Sequence, residues 1–176
     1  MEKMEIIGLV GILVLVVAMS GCTNYELLTY SDGVISFDYP DTFKNAPSPE
    51  NITNGSANWE EIAYLQNDND VRIQVAKNPK IWSNYEAKTA NEQSIKETGE
   101  VIESTDDIND NAVYMDILVY TFDDPDGRGK ILYYEMYFSG NKTVYIVTVY
   151  GLESKRDEIY AVADTISDSI DNGGNE

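Results

Sequence analysis

The chain has 176 residues, of which 43% are apolar, enough for one globular domain with a substantial core. Its formal net charge of -19 repels phosphate backbones and anionic lipid headgroups, so nucleic acid is not expected as a partner. There is no histidine and only one cysteine. This composition excludes a Ser-His-Asp triad, a Cys-His pair, a histidine-based zinc site and an internal disulfide.

The first residues have the pattern of an export leader. Residues 6–19 are uncharged and strongly apolar, short for a bilayer-spanning helix and typical of a signal peptide. Small residues precede the single cysteine, and Met19-Ser20-Gly21-Cys22 resembles a lipobox. We therefore expect a signal peptide over 1–21 and a tether over 22–26 that is lipidated at Cys22. The apolar run nearly reaches the minimum membrane span, so an uncleaved N-terminal helix is the alternative anchor.

After the tether the pattern alternates between strands and helices. A hairpin, a long Asn-, Pro-, Ser- and Gly-rich loop and a second hairpin come first, followed by a helix that Gly99 ends. Four strands and a final helix with Ser154 as its N-cap come next, and the last six residues are predicted to be disordered. The predicted strands are 27–30, 34–39, 59–66, 71–77, 100–105, 112–122, 131–138 and 143–150; the loop is 45–58, the helices are 84–98 and 154–170, and the tail is 171–176.

The last three strands are apolar on both faces. In one of them Met115, Ile117 and Val119 alternate with Leu118 and Tyr120. A strand with two apolar faces needs cover on both sides. We therefore expect an α+β fold, with a central antiparallel sheet between helices on both faces in an α/β/α sandwich.

This order of elements resembles the PsbP-like (Mog1/PsbP) superfamily over 27–170. The opening hairpin carries Gly-Val-Ile-Ser-Phe-Asp-Tyr-Pro-Asp-Thr-Phe at 33–43, and the closing strand and helix carry similar patterns at 145–150 and 166–170. The resemblance implies a binding or scaffolding domain of Mog1/PsbP type, which also occurs in archaeal and bacterial lipoproteins. Its photosynthetic members assist an oxygen-evolving complex, and its nuclear-transport members bind a small GTPase. No functional residue of those members matches a position here.

One loop concentrates carboxylates at Asp123, Asp124 and Asp126, next to Pro125 and Gly127. Several oxygen ligands on a turning backbone suit calcium, although the glutamate that an EF-hand needs is absent. Pro-Asp-Gly is also ordinary turn chemistry, so a plain hairpin turn is the other interpretation. The same two interpretations apply to Asp68 with Asp70, and to Asp106 and Asp107 with Asp110.

The remaining candidate residues have two interpretations each. The many tyrosines of the late strands form either an aromatic binding groove or core packing, and two-sided apolar patterns favour packing. Glu60 and Glu61 are neighbours on a strand and point to opposite faces, so they are not a facing acid/base pair. N-glycosylation sequons begin at Asn51, Asn54 and Asn141.

These observations together predict a membrane-anchored lipoprotein with its domain on the extracytoplasmic side. The domain over 27–170 is expected to bind an envelope protein or another partner, without catalysis and without a cofactor. One alternative is a calcium-binding envelope module that uses the acidic loops. A carboxylate-dependent hydrolase of envelope polymers is the other.

Overall fold

The computed structural model describes residues 25–48, 59–78 and 83–173. These residues form a seven-stranded antiparallel sheet in the order β3-β4-β5-β9-β8-β7-β6, a separate hairpin of β1 and β2, and two α-helices. The elements are β1 (Leu27–Ser31), β2 (Ser36–Pro40), β3 (Lys44–Asn45), β4 (Glu60–Gln66), β5 (Arg72–Asn78), α1 (Asn84–Thr98), β6 (Glu100–Ile108), β7 (Tyr114–Asp123), β8 (Lys130–Gly140), β9 (Thr143–Leu152), a 3₁₀ turn (Glu153–Lys155) and α2 (Arg156–Ser169).

Local chemistry sets the two tightest hairpins. Between β8 and β9, Asn141 and Lys142 both have positive φ (46° and 62°), the backbone of a two-residue turn that matches strand twist. Between β1 and β2, the Asp32 carboxylate accepts hydrogen bonds from the backbone N–H groups of Val34 and Ile35 at 2.8 and 2.9 Å. Local turn chemistry therefore helps to set the register of both hairpins.

The sheet is buried on both faces across its middle. On one face Met115, Met136 and Val147 pack with Ile166 of α2 and with Phe37 of the β1–β2 hairpin. On the other face Leu118, Tyr137 and Ile146 pack with Ala87 and Ile95 of α1. Successive strand residues point to opposite faces, so the two helices lie on opposite sides of the sheet. The predicted α+β sandwich, with a central antiparallel sheet and helices on both faces, is confirmed.

Helix α1 is capped by side chains at its N-terminus, and its C-terminal end lies close to the Phe122 side chain of β7. Ser83 and Glu86 form a capping box, in which each side chain accepts a hydrogen bond from the backbone N–H of the other. At Gly99 an added Cβ would lie 2.5 Å from the Phe122 ring. Any larger residue there would push α1 and β6 away from β7, which explains why glycine ends this helix.

Some boundaries differ from the predictions. Ser154 is not an N-cap, because it lies inside the 3₁₀ turn and α2 begins at Arg156. Strand β6 continues past its predicted end at residue 105 to Ile108, because β7 pairs with it along its length. The predicted disordered tail begins too early, since Asp171 pairs through its backbone with Ser36 at 2.8 Å in both directions.

Within the described ranges, the helices are too short or too polar to span a bilayer. The leader over 1–21 and Cys22 lie outside those ranges.

Candidate functional site

A cleft of about 640 Å³ opens between the N-terminal half of α2, the turn from β4 to β5, and the segment that follows β2. Its buried lining consists of the apolar side chains of Pro40, Phe43 and Val162 and one amide, that of Asn67. Ala161 adds a small, exposed side chain on the helix wall. This volume lies in the range of small-ligand pockets, so the cleft has room for a ligand group or a few side chains.

The exposed rim of the cleft is acidic. Asp41, Asp68 and Asp157 are exposed lining residues, and Glu158 is half-buried beside them. Lys44 is the basic lining residue. Four carboxylates against one ammonium make the mouth of the cleft attractive to cations.

The turn wall of the cleft is tied to α2 through amide side chains. Asn67 is buried and donates from Nδ2 to Glu158 Oε1 at 2.8 Å. Asn69 Nδ2 donates to both Glu158 oxygens at 3.1 Å. Asn67 Oδ1 in turn accepts from the backbone N–H groups of Asn69 and Val71, each at 3.0 Å. This network holds the two walls at a set distance, so the cleft is already formed without a ligand.

The cleft lies beside the N-terminal end of the described domain. Tyr25, the first described residue, is one of its lining residues. Tyr25 lies three positions after Cys22 in the chain, a reach of at most about 11 Å for extended backbone. A lipid at Cys22 would therefore place the cleft close to the membrane surface.

A second polar group lies inside the α1 face of the sheet, around Glu135. This carboxylate is 0% exposed and accepts hydrogen bonds from the hydroxyl groups of Tyr120 (2.7 Å) and Tyr137 (2.5 Å). Asn91 of α1 donates to Glu135 and to the Tyr137 oxygen, both at 2.8 Å. Burial raises the pKa of Glu135, and the three donors oppose that shift. Because it has no contact with solvent, this group is placed to hold α1 on the sheet and not to meet a substrate.

A buried ion pair lies on the same face of the sheet. Lys88 Nζ of α1 is 3.2 Å from Asp116 Oδ1 and donates to the Thr105 carbonyl at 3.1 Å. The Asp116 side chain is 1% exposed, and its Oδ2 has no hydrogen-bond partner among the described residues. The buried negative charge of Asp116 is therefore compensated almost entirely by Lys88.

The tyrosines of the late strands are mainly core residues. Tyr120, Tyr133 and Tyr150 stack across β7, β8 and β9 at centroid distances of 5.0 and 5.1 Å. The Arg72 guanidinium continues this row 5.7 Å from the Tyr150 ring. The interpretation of the tyrosines as core packing is confirmed for these three stacked rings. Tyr114, in contrast, is exposed at the start of β7.

In the acidic loop after β7, the Arg128 guanidinium pairs with a carboxylate of the same loop. Arg128 Nε donates to Asp124 Oδ2 at 2.6 Å, and the Asp124 side chain is 1% exposed. This hydrogen bond to Arg128 is the main reason that the pKa of Asp124 lies below its usual value. Asp123 ends β7 opposite Lys130, and Asp126 lies 3.5 Å from Arg128. Two of the three carboxylates of this loop are thus paired with Arg128 within the turn.

No group of three or more acidic or cysteine side chains within the described residues is arranged to hold a metal ion. The described residues include Asp68 and Asp70, and Asp106, Asp107 and Asp110. Calcium binding at Asp123, Asp124 and Asp126 stays a prediction, and the Arg128 pair stands against it. Glu60 and Glu61 are separated, since Glu60 pairs with Lys77 and Glu61 accepts from Gln74.

The other predicted modification sites are only partly described. Cys22, Asn51 and Asn54 lie outside the described residues. Asn141 is exposed in the turn between β8 and β9, where a sugar would meet solvent. Glycosylation of the three sequons stays a prediction.

Asp116 and Glu135 were not predicted from the sequence as buried polar positions. Both interrupt apolar strands, with aromatic or aliphatic residues two positions away on either side. A charged residue on a two-sided apolar strand was therefore the available signal. The cleft had no such signal, because its walls come from segments that lie far apart in the chain, such as Pro40 and Val162.

The fold is similar to that of PsbP, which confirms the predicted resemblance at the level of the fold. The cyanobacterial PsbP (CyanoP) from Synechocystis sp. PCC 6803 superposes with a TM-score of 0.57 at 16% identity, covering 86% of this chain and 95% of that one. LpqN, described as involved in cell envelope biogenesis of Mycobacterium tuberculosis, superposes with a TM-score of 0.54 at 9% identity, covering 84% and 90%. No protein-family model and no curated protein matches the sequence.

Proposed function

We propose that this chain is an extracytoplasmic lipoprotein whose PsbP-like domain binds an envelope partner without catalysing a reaction. In this proposal Cys22 carries the lipid, the domain stays at the membrane surface, and the cleft between α2 and the β4–β5 turn is the binding site. The cleft beside Tyr25 is the observation that carries the proposal, because it combines a preformed volume with a position next to the tether.

Two further observations support a binding role. The most deeply buried carboxylates, Glu135 and Asp116, are closed off from solvent, so neither is placed to act on a substrate. A neighbour with the same fold, LpqN, is described as involved in cell envelope biogenesis. Fold does not define function, so the proposal rests on the cleft.

The tether is tested by the intact mass of the protein extracted from membranes of its host. We expect loss of residues 1–21 and the added mass of lipid on Cys22. The Cys22→Ser variant is the control and should keep its leader and lack lipid. An unlipidated mature chain would contradict the lipid anchor, and a full-length chain in the membrane would favour the N-terminal helix.

The cleft is tested by crosslinking in intact envelopes. The Ala161→Trp variant fills the cleft from an exposed helix position, so it should fold and lose the crosslinked partner. The Ala90→Trp variant is the matched control, because Ala90 is an exposed alanine on α1 at the other face of the sheet. Equal crosslinking by both variants would contradict the cleft as the binding site.

A further inference from the structure

The cleft has the two features that recognise a long basic side chain. Its buried lining is mostly apolar, from Phe43, Val162 and Pro40, and its rim carries exposed carboxylates. The buried amide of Asn67 is already hydrogen-bonded to Glu158. Lysine and arginine have aliphatic stems that pack on apolar surface while their charged ends stay at its edge. A basic side chain entering this cleft therefore satisfies both parts of it.

The electrostatic field of the acidic chain also favours a basic side chain as the ligand. The whole chain carries a net charge of -19, and the rim adds its carboxylates at the point of entry. Long-range attraction raises the rate at which a cationic segment reaches the cleft, and the rim then selects its orientation. An anionic headgroup or an acidic peptide is repelled at both stages.

We propose that the cleft binds a lysine- or arginine-bearing segment of a partner protein that reaches the same membrane surface. This inference rests on the proposed function, because it names the chemistry of the partner for the same cleft. The preformed walls support it, since Glu158 is held by Asn67 and Asn69 and the ligand need not order them.

The test uses the full chain in nanodiscs of zwitterionic lipid and a fluorescent peptide of alternating lysine and leucine. Two matched peptides replace every lysine with glutamate or with glutamine. We expect saturable binding of the lysine peptide that weakens with added salt, and no binding of the other two.

Charge variants separate the cleft from the general field. The triple variant Asp41→Asn, Asp68→Asn, Asp157→Asn should weaken the lysine peptide about tenfold, because each rim charge contributes modestly. The triple variant Asp106→Asn, Asp107→Asn, Asp110→Asn has the same net charge, lies away from the cleft and should change affinity less than about twofold. Lys44→Gln should strengthen binding.

Each outcome decides the proposal. Equal weakening by the two triple variants shows a diffuse electrostatic attraction and overturns it, as does binding of the glutamate or glutamine peptide. Weakening of lysine-peptide binding as the fraction of amine-headed lipid in the nanodiscs rises overturns it in favour of a lipid. Loss of the envelope crosslink in Ala161→Trp without any binding of the lysine peptide leaves the proposed function standing and removes only this inference.

Discussion

The two faces of the central sheet are buried to a similar extent by different chemistry. The face toward α2 is almost wholly apolar, with residues such as Met115, Met136 and Val147 packed on Ile166. The face toward α1 contains a buried ion pair, a fully buried carboxylate and a ladder of tyrosine rings. The α2 face is therefore held by the area it removes from water, whereas the α1 face combines apolar packing with buried polar pairs.

The largest expected effect comes from breaking the ion pair on the α1 face. Lys88→Met leaves Asp116 buried without its partner, and we expect the free energy of unfolding to fall by about 4 kcal/mol. The double variant Lys88→Met, Asp116→Leu should recover most of that loss, because no charge then remains buried. Urea unfolding monitored by circular dichroism measures both.

Lys96→Met is the matched control for this prediction, because the exposed Lys96 forms an i,i+4 pair with the half-buried Glu92 on the same helix. That pair should contribute about 0.3–0.5 kcal/mol. A similar small effect for Lys88→Met would show that the α1 face does not depend on its ion pair.

The next largest loss of stability is expected from a substitution that creates a cavity on the α2 face. Ile166 is fully buried, so Ile166→Ala should lower the free energy of unfolding by about 3 kcal/mol, through lost apolar burial and the space left behind. The loss should be the same at pH 5 and pH 8, because no ionisable group changes. Urea unfolding at both pH values checks this, with the less buried Thr165→Ala as control. A strong pH dependence would contradict the contrast between the faces.

A smaller, pH-dependent effect is expected at Glu135. Burial raises its pKa in the folded chain, so the folded state keeps a proton that the unfolded state loses above its ordinary value of 4.5. Stability from this group is present below that value and is lost as pH rises through the raised pKa, by up to about 1.4 kcal/mol per pH unit. Glu135→Gln should flatten that part of the profile.

The control at Glu135 is Glu97→Gln, an exposed carboxylate on α1. It should leave the dependence of the unfolding free energy on pH unchanged between pH 4.5 and pH 8. An identical profile for wild type and Glu135→Gln would show that Glu135 titrates as it does in the unfolded chain. The α1 face would then lack this source of pH sensitivity.

The smallest expected effect concerns calcium. A ligand that binds the folded state raises the melting temperature by mass action. Arg128 already neutralises Asp124, so millimolar calcium should leave the melting temperature unchanged. Thermal melts with and without calcium measure this. A rise that disappears in Asp124→Asn would support the calcium-binding alternative.

The sequence by itself determined the two helices, the burial of the sheet on two faces and the described strands apart from β3 (Lys44–Asn45), which overlaps the start of the predicted loop over 45–58. Alternating apolar residues around Met115 and Leu118 predicted cover on both faces, because each strand residue must point to one side or the other. The turns at Asp32 and Asn141 were also local, since their chemistry lies within a few residues.

Only the tertiary structure decided the partners of the polar groups and the position of the cleft. Glu135 meets Asn91, and Glu158 meets Asn67, across large separations in the chain that no local pattern encodes. The pattern of residues sets which side chains must be buried, because burial depends on periodicity. Which buried or rim groups meet depends on how strands and helices are ordered in space, and that order exists only after the chain has folded.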